Sequence, residues 1–469
     1  MKPLPAVTMR QYVFRATLLA FAMCAFGLAD SPVAFAEGWR AGVAAVKITP
    51  QQPMWMSGYA GRGKPAEGTL IDLWAKALIL EDARANRAVL VTLDLCGIDR
   101  ALSVSVRDEI QRIHGLGYPQ VALSCSHTHT GPVVGENLRA MYALDENQNK
   151  LVDAYTAWLH EQIVAVVGQA IEKLAPADVS WGQGLATFAV NRRANPEPEV
   201  PRLRAEGLLK GPVDHDVPVL KVASQDGSLS AVVFGYACHA TVLDGYQWSG
   251  DYPGFAQRDL EQEHPGAVAM FWAGCGADQN PLPRRQVQIA EGYGRALADA
   301  VNAVLASELS PISGDLKTTY GEIDLPFQQV PSKAQLETDA ASADRFIASR
   351  ARTLLAQLAA SGEVAATYPY PIQAWSLGSD LLWITLGGEV VVDYALRLKQ
   401  AHGSKNTWVA GYTNDVMAYI PSRRVLVEGG YEGGGAMVYY GLPSPWAPEV
   451  EESIVQEVAT RVQTLRSAK

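Results

Sequence analysis

The sequence predicts an α/β fold in which a mixed β-sheet is flanked by helices. Residues 88–96 and 121–125 are short, apolar and rich in β-branched side chains, as expected of buried strands. Residues 101–114 between them have helical periodicity. Because a parallel pair needs a long crossover, this succession of strand, helix and strand favours parallel pairing.

The rest of the chain continues this alternation. Two apolar runs, residues 219–223 and 231–237, flank a Gln-Asp-Gly-Ser turn and predict an antiparallel hairpin, which makes the sheet mixed. Further patterns predict helices at 151–174, 289–305 and 334–360 and strands at 267–272 and 381–386. The composition becomes more polar near residues 306–315, but motifs on both sides favour one domain over residues 37–469.

The first residues have the pattern of a secretory signal peptide. Lys2, Arg10 and Arg15 precede an apolar run at residues 16–28, and the triplet Ala-Phe-Ala at 34–36 fits a cleavage site. The apolar run is too short to span a bilayer. We therefore expect residues 1–36 to be removed and the protein to be exported, either to a periplasm or out of the cell.

The acidic composition narrows the choice of partners. A formal net charge of −10 argues against nucleic acid and gives no general attraction to an anionic membrane, although a local basic patch could still make a transient contact with a membrane surface. Four cysteines follow residue 36 and none shows CxxC spacing, so we expect small buried residues near the site; sequence leaves their pairing open. They are Cys96, Cys125, Cys238 and Cys275.

Candidate metal ligands follow several predicted strands. His127 and His129 lie directly after the strand at 121–125, and His239 follows the strand at 231–237. Imidazole is a common zinc ligand, and loops at strand ends are held by a rigid sheet. The alternative is that these are polar loop residues or a structural histidine.

Two carboxylates complete this set of candidates. Glu389 follows a strand that ends in Gly387-Gly388, where the backbone can bend so that the carboxylate projects. The alternative is a solvated glutamate that begins a helix. Asp94, near the end of its own strand, could orient an imidazole by accepting a hydrogen bond.

Seven motifs along the chain, taken in order, resemble those of the neutral, non-lysosomal ceramidases. Each is weak alone, but together they span nearly the whole chain after residue 36. They are residues 41–50 (AGVAAVKITP) with 56–59 (MSGY), 126–132 (SHTHTGP), 191–192 (NR), 239–241 (HAT) with 249–251 (SGD), 388–389 (GE), 411–414 (GYTN) with 419–420 (YI), and 431–433 (YEG).

The resemblance implies a zinc ion and a hydrolytic reaction. It assigns four zinc ligands, which are named at the end of this paragraph. It also places His129 and Arg192 beside the metal, in contact with the amide or the developing oxyanion. Such a zinc lowers the pKa of bound water from about 16 toward about 7 and polarises a carbonyl. The implied activity is hydrolysis of an N-acyl amide, in ceramide, a related N-acyl lipid or a smaller N-acyl amine. The implied ligands are His127, His239, Glu389 and the phenol oxygen of Tyr419.

The sequence departs from the family pattern at two places. Gln279 stands where the family has a site serine, and we expect it to orient the substrate by hydrogen bonds. Only about one helix follows residues 431–433, so we expect the family's immunoglobulin-like C-terminal domain to be missing. A zinc phosphatase or esterase, and a binding protein that has lost turnover, remain alternatives.

Overall fold

Two β-sheets packed face to face organise the protein, which a computed structural model describes from residue 38 to residue 467. The predicted signal peptide at residues 1–36 lies outside the described residues. The strands are β1 (Trp39–Lys47), β2 (Gly68–Thr69), β3 (Trp74–Glu81), β4 (Arg87–Leu93), β5 (Val121–Cys125), β6 (Ala175–Leu185), β7 (Ala189–Asn191), β8 (Asp216–Ser224), β9 (Leu229–Tyr236), β10 (Gln247–Trp248), β11 (Val268–Ala273), β12 (Gln279–Pro281), β13 (Ser310–Pro311), β14 (Leu316–Pro326), β15 (Thr367–Leu377), β16 (Leu381–Leu386), β17 (Glu389–Val390), β18 (Thr407–Ala410) and β19 (Tyr419–Ile420). The helices are α1 (Arg100–His114), α2 (Glu146–Glu172), α3 (Val200–Ala205), α4 (Asp251–Glu263), α5 (Val287–Leu305), α6 (Lys333–Asp339), α7 (Arg345–Ser361), α8 (Val392–His402), α9 (Arg423–Glu428) and α10 (Val450–Ser467).

The larger sheet is mixed, as the sequence predicts. Its strand order is β11-β9-β8-β6-β1-β3-β4-β5, with β13 paired to β6. Strands β4 and β5 are parallel and are joined through α1, whereas β8 and β9 form an antiparallel hairpin. Gly227 in the hairpin turn has a φ of 85°, a left-handed conformation that glycine adopts without a steric penalty.

The smaller sheet has the order β14-β15-β16-β18. The pairs β14–β15 and β15–β16 are antiparallel, whereas β16 and β18 run parallel and are joined by a long connection that contains α8. The carboxyl ends of β16 and β18 therefore lie at the same edge of this sheet.

The sheets and helices form four layers. One face of the larger sheet packs against α1, α2, α4 and α5, and the outer face of the smaller sheet packs against α8 and α10. The two sheets meet in an apolar layer that contains Trp272, Trp383 and Trp408. Trp383 lies with its ring centroid 5.4 Å from that of Trp272 and 5.2 Å from that of Trp408. These large rings fill the space between the sheets.

The structure differs from the sequence prediction in the helical region at 334–360. It contains two helices, α6 and α7, rather than one continuous helix. Asp344 starts the second helix, because its carboxylate accepts hydrogen bonds from the backbone N–H groups of Phe346 and Ile347 and caps the N-terminus of α7. Charged periodicity alone could not show this break.

The polar region at residues 306–315 contributes a short strand, β13, to the larger sheet. Strand β13 pairs with β6, and the described residues belong to one compact unit. Within residues 38–467, no helix has both the length and the apolar character needed to cross a bilayer. The four cysteines of this part of the chain are buried and unpaired.

Candidate active site

The candidate ligands come from segments that follow strands of both sheets. His127 follows β5 and His239 follows β9 in the larger sheet, while Glu389 and Tyr419 follow β16 and β18 of the smaller sheet. Single backbone bridges, Ser124 to Thr413 and Gly274 to Ala410, join the two sheets at this end. The site thus forms where the carboxyl ends of strands from two facing sheets meet.

Three of these residues converge on one point. Oε2 of Glu389 lies 3.1 Å from Nε2 of His127 and 3.2 Å from Nε2 of His239. Potential ligand atoms of all three lie within 4.8 Å of one another, and all three side chains are buried. The loop geometry is specialised, since His127 has a φ of 59° and Gly388 a φ of 76°. A Cβ on Gly388 would lie 2.8 Å from the carbonyl oxygen of Ala418.

Backbone carbonyls hold the two imidazoles in a metal-binding orientation. Nδ1 of His127 lies 2.7 Å from the carbonyl oxygen of Cys96, and Nδ1 of His239 lies 2.8 Å from that of Gly276. A carbonyl can only accept, so each Nδ1 carries a hydrogen, and each imidazole in its neutral form presents a lone pair on Nε2. Asp94 was expected to orient an imidazole, but its oxygens accept hydrogen bonds from the backbone N–H of Trp74 and the side chain of Gln257 instead.

The electrostatics of the cluster favour a cation. Burial acts to lower the pKa of His127, but the carboxylate of Glu389 outweighs it and raises the pKa to about 10. Burial acts in the opposite direction on Glu389, and the two histidines outweigh it and lower its pKa well below 4.5. Glu389 therefore creates a place for a positive charge among the three ligands.

The residues present fit a zinc ion. Oε2 of Glu389 is buried and has no hydrogen-bond partner within the described part of the chain, although two imidazole nitrogens face it. An unpaired buried carboxylate oxygen is costly, and a metal ion removes that cost. The phenol oxygen of Tyr419 lies 3.3 Å from Nε2 of His239. Two imidazoles, a carboxylate and a phenol are a suitable N,O ligand set for zinc.

His129 lies beside this set of residues. Its Nε2 is 3.1 Å from Nε2 of His127. Burial, assisted by His127 and His239, lowers the pKa of His129 well below 6.5, so the imidazole is neutral at pH 7. Gly58, from the MSGY motif, packs on this ring, and a Cβ there would lie 2.3 Å from Cγ of His129. The motif therefore fixes the position of the imidazole.

Arg192 reaches the same cluster from β7 and is fixed by a carboxylate. Its Nε donates to Oε1 of Glu432 at 2.7 Å, and Nη2 donates to the phenol oxygen of Tyr419 at 3.1 Å. Arg193 donates to the other oxygen of Glu432 at 2.6 Å. The guanidinium is thus held at Tyr419, beside the point on which the ligands converge.

Gln279 lies opposite Asn191, one residue before Arg192, in the β7–β12 pair, but its side chain is already hydrogen-bonded elsewhere. Its Nε2 donates to the carbonyl oxygen of Ala237 at 2.5 Å, and its Oε1 accepts from the backbone N–H of Asp214 at 3.1 Å. Its own carbonyl accepts the backbone N–H of His239 at 2.9 Å. The expected contact with substrate does not follow from this geometry, in which Gln279 holds the loop of His239.

Sequence reasoning missed several residues of the site. Tyr440 donates a hydrogen bond to Oε1 of Glu389, Tyr412 lies against His127 with ring centroids 4.3 Å apart, and Glu432 holds Arg192. Tyr412 and Glu432 could have been suspected because they lie within the motifs at residues 411–414 and 431–433. Nothing in the sequence marks Tyr440. Cys96, expected near the site, lies with Sγ 3.7 Å from Nδ1 of His127.

Comparison with known proteins gives one family. A family profile described as "Neutral/alkaline non-lysosomal ceramidase, N-terminal" matches residues 39–331. Neutral ceramidase A of Dictyostelium discoideum is 28% identical over 232 residues, which is 46% of this chain and 30% of that protein. Neutral ceramidase of Pseudomonas aeruginosa is 26% identical over 230 residues, which is 46% of this chain and 33% of that protein. The aligned segment thus spans about a third of these relatives.

Solved structures agree with the fold over most of the chain. The crystal structure of neutral ceramidase from Pseudomonas aeruginosa superposes with a TM-score of 0.69 at 19% identity, covering 91% of this chain and 75% of that one. A structure titled "Ceramidase complexed with C2" gives a TM-score of 0.70 at 18% identity, covering 92% and 75%. These structures share the fold, and the profile match over residues 39–331, more than half of the chain, shows that the chain belongs to the neutral/alkaline, non-lysosomal ceramidase family.

Proposed function

We propose that this protein is a zinc-dependent amidohydrolase that cleaves an N-acyl amide bond, with ceramide as the leading substrate class. The observation that supports this most strongly is the convergence of two imidazole nitrogens on an otherwise unpaired, buried oxygen of Glu389. Family membership supports the substrate class, because the relatives are ceramidases by name. We also propose export, on the basis of the leader pattern at residues 1–36.

The proposed zinc ligands are His127, His239, Glu389 and Tyr419. When bound, zinc supplies a water of lowered pKa and polarises the substrate carbonyl. Glu389 and Tyr419 lie beyond the residues matched by the family profile, so their assignment is supported by geometry: β17 and β19 pair in parallel with these two residues opposite each other.

Arg192 is placed to stabilise negative charge on the amide oxygen. Glu432 holds its Nε, so the guanidinium cannot swing away, and Nη2 lies at the phenol oxygen of Tyr419. A donor fixed before the reaction stabilises developing charge without a cost of reorientation. The neighbouring Tyr431 is 43% exposed, and its ring lies 5.8 Å from the Arg192 guanidinium and 5.2 Å from the Tyr419 ring. We therefore propose that the acyl amide reaches Arg192 from the solvent side, past the exposed ring of Tyr431.

His129 is placed to move a proton. Its Nε2 faces the cluster, 3.1 Å from Nε2 of His127, and this nitrogen presents a lone pair when the hydrogen is on Nδ1. That nitrogen can take a proton from the attacking water and deliver it to the departing amine. Tyr59 packs edge-on against this ring at 4.8 Å and, with Gly58, keeps it in place.

A substrate comparison tests this function. Zinc-loaded protein is incubated with a short-chain ceramide, a carboxylic ester of the same acyl group and a phosphate monoester, and the free acid, amine and phosphate are measured by mass spectrometry. We expect acid and amine in equal amounts from the amide, and none with His127→Ala. Turnover of the ester or the phosphate without the amide would identify an esterase or phosphatase, and no turnover would identify a binding protein.

A further inference from the structure

We propose that Tyr440 is a positioning residue that occupies one oxygen of Glu389, so that the carboxylate offers a single oxygen, Oε2, to the metal. The inference rests on the proposed zinc site and assigns to it a residue that no motif contains. It concerns how the ligand is presented, which a ligand set alone does not determine.

The two oxygens of Glu389 have different surroundings. Oε1 accepts a hydrogen bond from the phenol of Tyr440. Oε2 lies 3.1 Å from Nε2 of His127 and 3.2 Å from Nε2 of His239, and it accepts no hydrogen bond from any residue in the range 38–467. One oxygen is therefore held by the protein and the other is left for a cation.

Tyr440 is itself fixed by its packing. Its ring and that of Tyr439 contact both the apolar core of the larger sheet and that of the smaller sheet. Gly441, the next residue, has a φ of 69°, and a Cβ there would lie 3.3 Å from side-chain atoms of Ala140 and Thr353. This segment therefore has little freedom, and moving the phenol away from Glu389 would disturb contacts of Tyr440 with both cores.

The hydrogen bond from Tyr440 would limit Glu389 to one coordination position on the metal. A carboxylate that binds through both oxygens occupies two positions, whereas a hydrolytic site must keep one open. A hydrogen bond from a fixed phenol competes with the metal for Oε1 and sets the carboxylate orientation. Tyr440 thereby acts through Glu389 and need not touch the substrate.

Cobalt substitution provides a direct test with Tyr440→Phe, which keeps the ring and removes the hydroxyl. Tyr439→Phe is the matched control, since that ring packs on Phe346 with centroids 4.9 Å apart and lies outside the ligand set. Thermal melting confirms that both variants fold. We expect the d–d absorption of Co²⁺-loaded Tyr440→Phe to weaken, because a second carboxylate oxygen raises the coordination number, and kcat to fall about 10- to 100-fold with little change in KM.

Each outcome separates this inference from the proposed function. A changed cobalt spectrum in Tyr440→Phe, with a wild-type spectrum in Tyr439→Phe, supports the positioning role. If wild-type protein binds cobalt and Tyr440→Phe gives the same spectrum, the positioning role is wrong and the zinc site stands. If wild-type protein binds neither cobalt nor zinc, both are overturned.

Discussion

Arg192 and Glu432 form a largely buried ion pair, with Nε of the arginine 2.7 Å from Oε1 of the glutamate. Glu432 also holds Arg193, whose Nη1 lies 2.6 Å from its second oxygen. One carboxylate therefore fixes two consecutive arginines, and only the first reaches Tyr419. Arg192 thus has two contacts to separate, the ion pair with Glu432 and the hydrogen bond from Nη2 to Tyr419, and we propose that the second serves the reaction.

Replacing Arg192 with lysine should expose the second role. Lysine keeps a positive charge for Glu432 but cannot also donate to Tyr419 with a fixed fork. We expect kcat/KM to fall at least about tenfold, which is about 1.4 kcal/mol of transition-state stabilisation, while zinc content stays unchanged. Arg193→Lys is the control. Activity of Arg192→Lys within about threefold of the wild-type value would rule out a role in the reaction.

Removing the side chain of Gln279 should affect stability rather than chemistry. Gln279→Ala leaves the carbonyl of Ala237 and the backbone N–H of Asp214 without partners in a buried region, which costs about 1–3 kcal/mol. We expect a lower melting temperature and a nearly unchanged kcat per zinc-loaded molecule. An unchanged melting temperature with a large loss of kcat would restore the role in substrate contact that the sequence suggested.

Gly58 should tolerate no side chain. Its φ is 97° and a Cβ would lie 2.3 Å from Cγ of His129, so Gly58→Ala must displace the imidazole. Gly61 lies in the same loop with nothing within 4 Å of its Cβ position and serves as the control. We expect Gly58→Ala to lose most activity at a temperature where it remains folded. Equal activity of the two variants would show that the position of His129 is unimportant.

Asp415 should make stability depend on pH. Burial, with a smaller contribution from Asp99, raises the pKa of Asp415 to about 7, and its Oδ1 has no partner among residues 38–467. Between about pH 4 and pH 7 the unfolded chain ionises this group while the folded protein keeps it protonated. The protein therefore loses stability as the pH rises through this range.

Asp415→Asn should remove that loss, because the amide is neutral and can still accept from the phenol of Tyr368. We expect the variant to gain stability relative to the wild-type protein between pH 4 and pH 7, by on the order of 2–4 kcal/mol. Urea unfolding at several pH values measures this difference. Parallel stability curves would show that Asp415 ionises normally in the folded protein.

The sequence predicted what depends on local pattern. Strands β4 and β5, helix α1 and the β8–β9 hairpin follow from apolar periodicity and turn residues. His127, His239 and Glu389 were candidates because they follow such strands, whereas Tyr419 was implied only by the family resemblance. The contacts that hold those ligands are long-range and could not be found in this way. Tyr440 meets Glu389 only after two sheets pack together, and the oxygens of Asp94 are taken by neighbours remote in the chain.

Hydrogen-bond partners of a buried amide are equally hidden from the sequence. A glutamine in place of a serine suggested a contact with substrate, whereas Gln279 turns its amide to two backbone groups. The family resemblance located the position, and only the structure showed the direction of the side chain. The same holds for His127 and His239, whose tautomers are set by the carbonyls of Cys96 and Gly276.

Zinc titration of the metal-free protein by calorimetry tests the central claim most directly. We expect about one zinc per chain for the wild-type protein and for His264→Ala, whose histidine pairs with Asn302 outside the cluster. His239→Ala should lose this binding while remaining folded, because it removes one of the two imidazoles that face Oε2 of Glu389. Equal zinc binding by wild-type protein and His239→Ala would contradict the account.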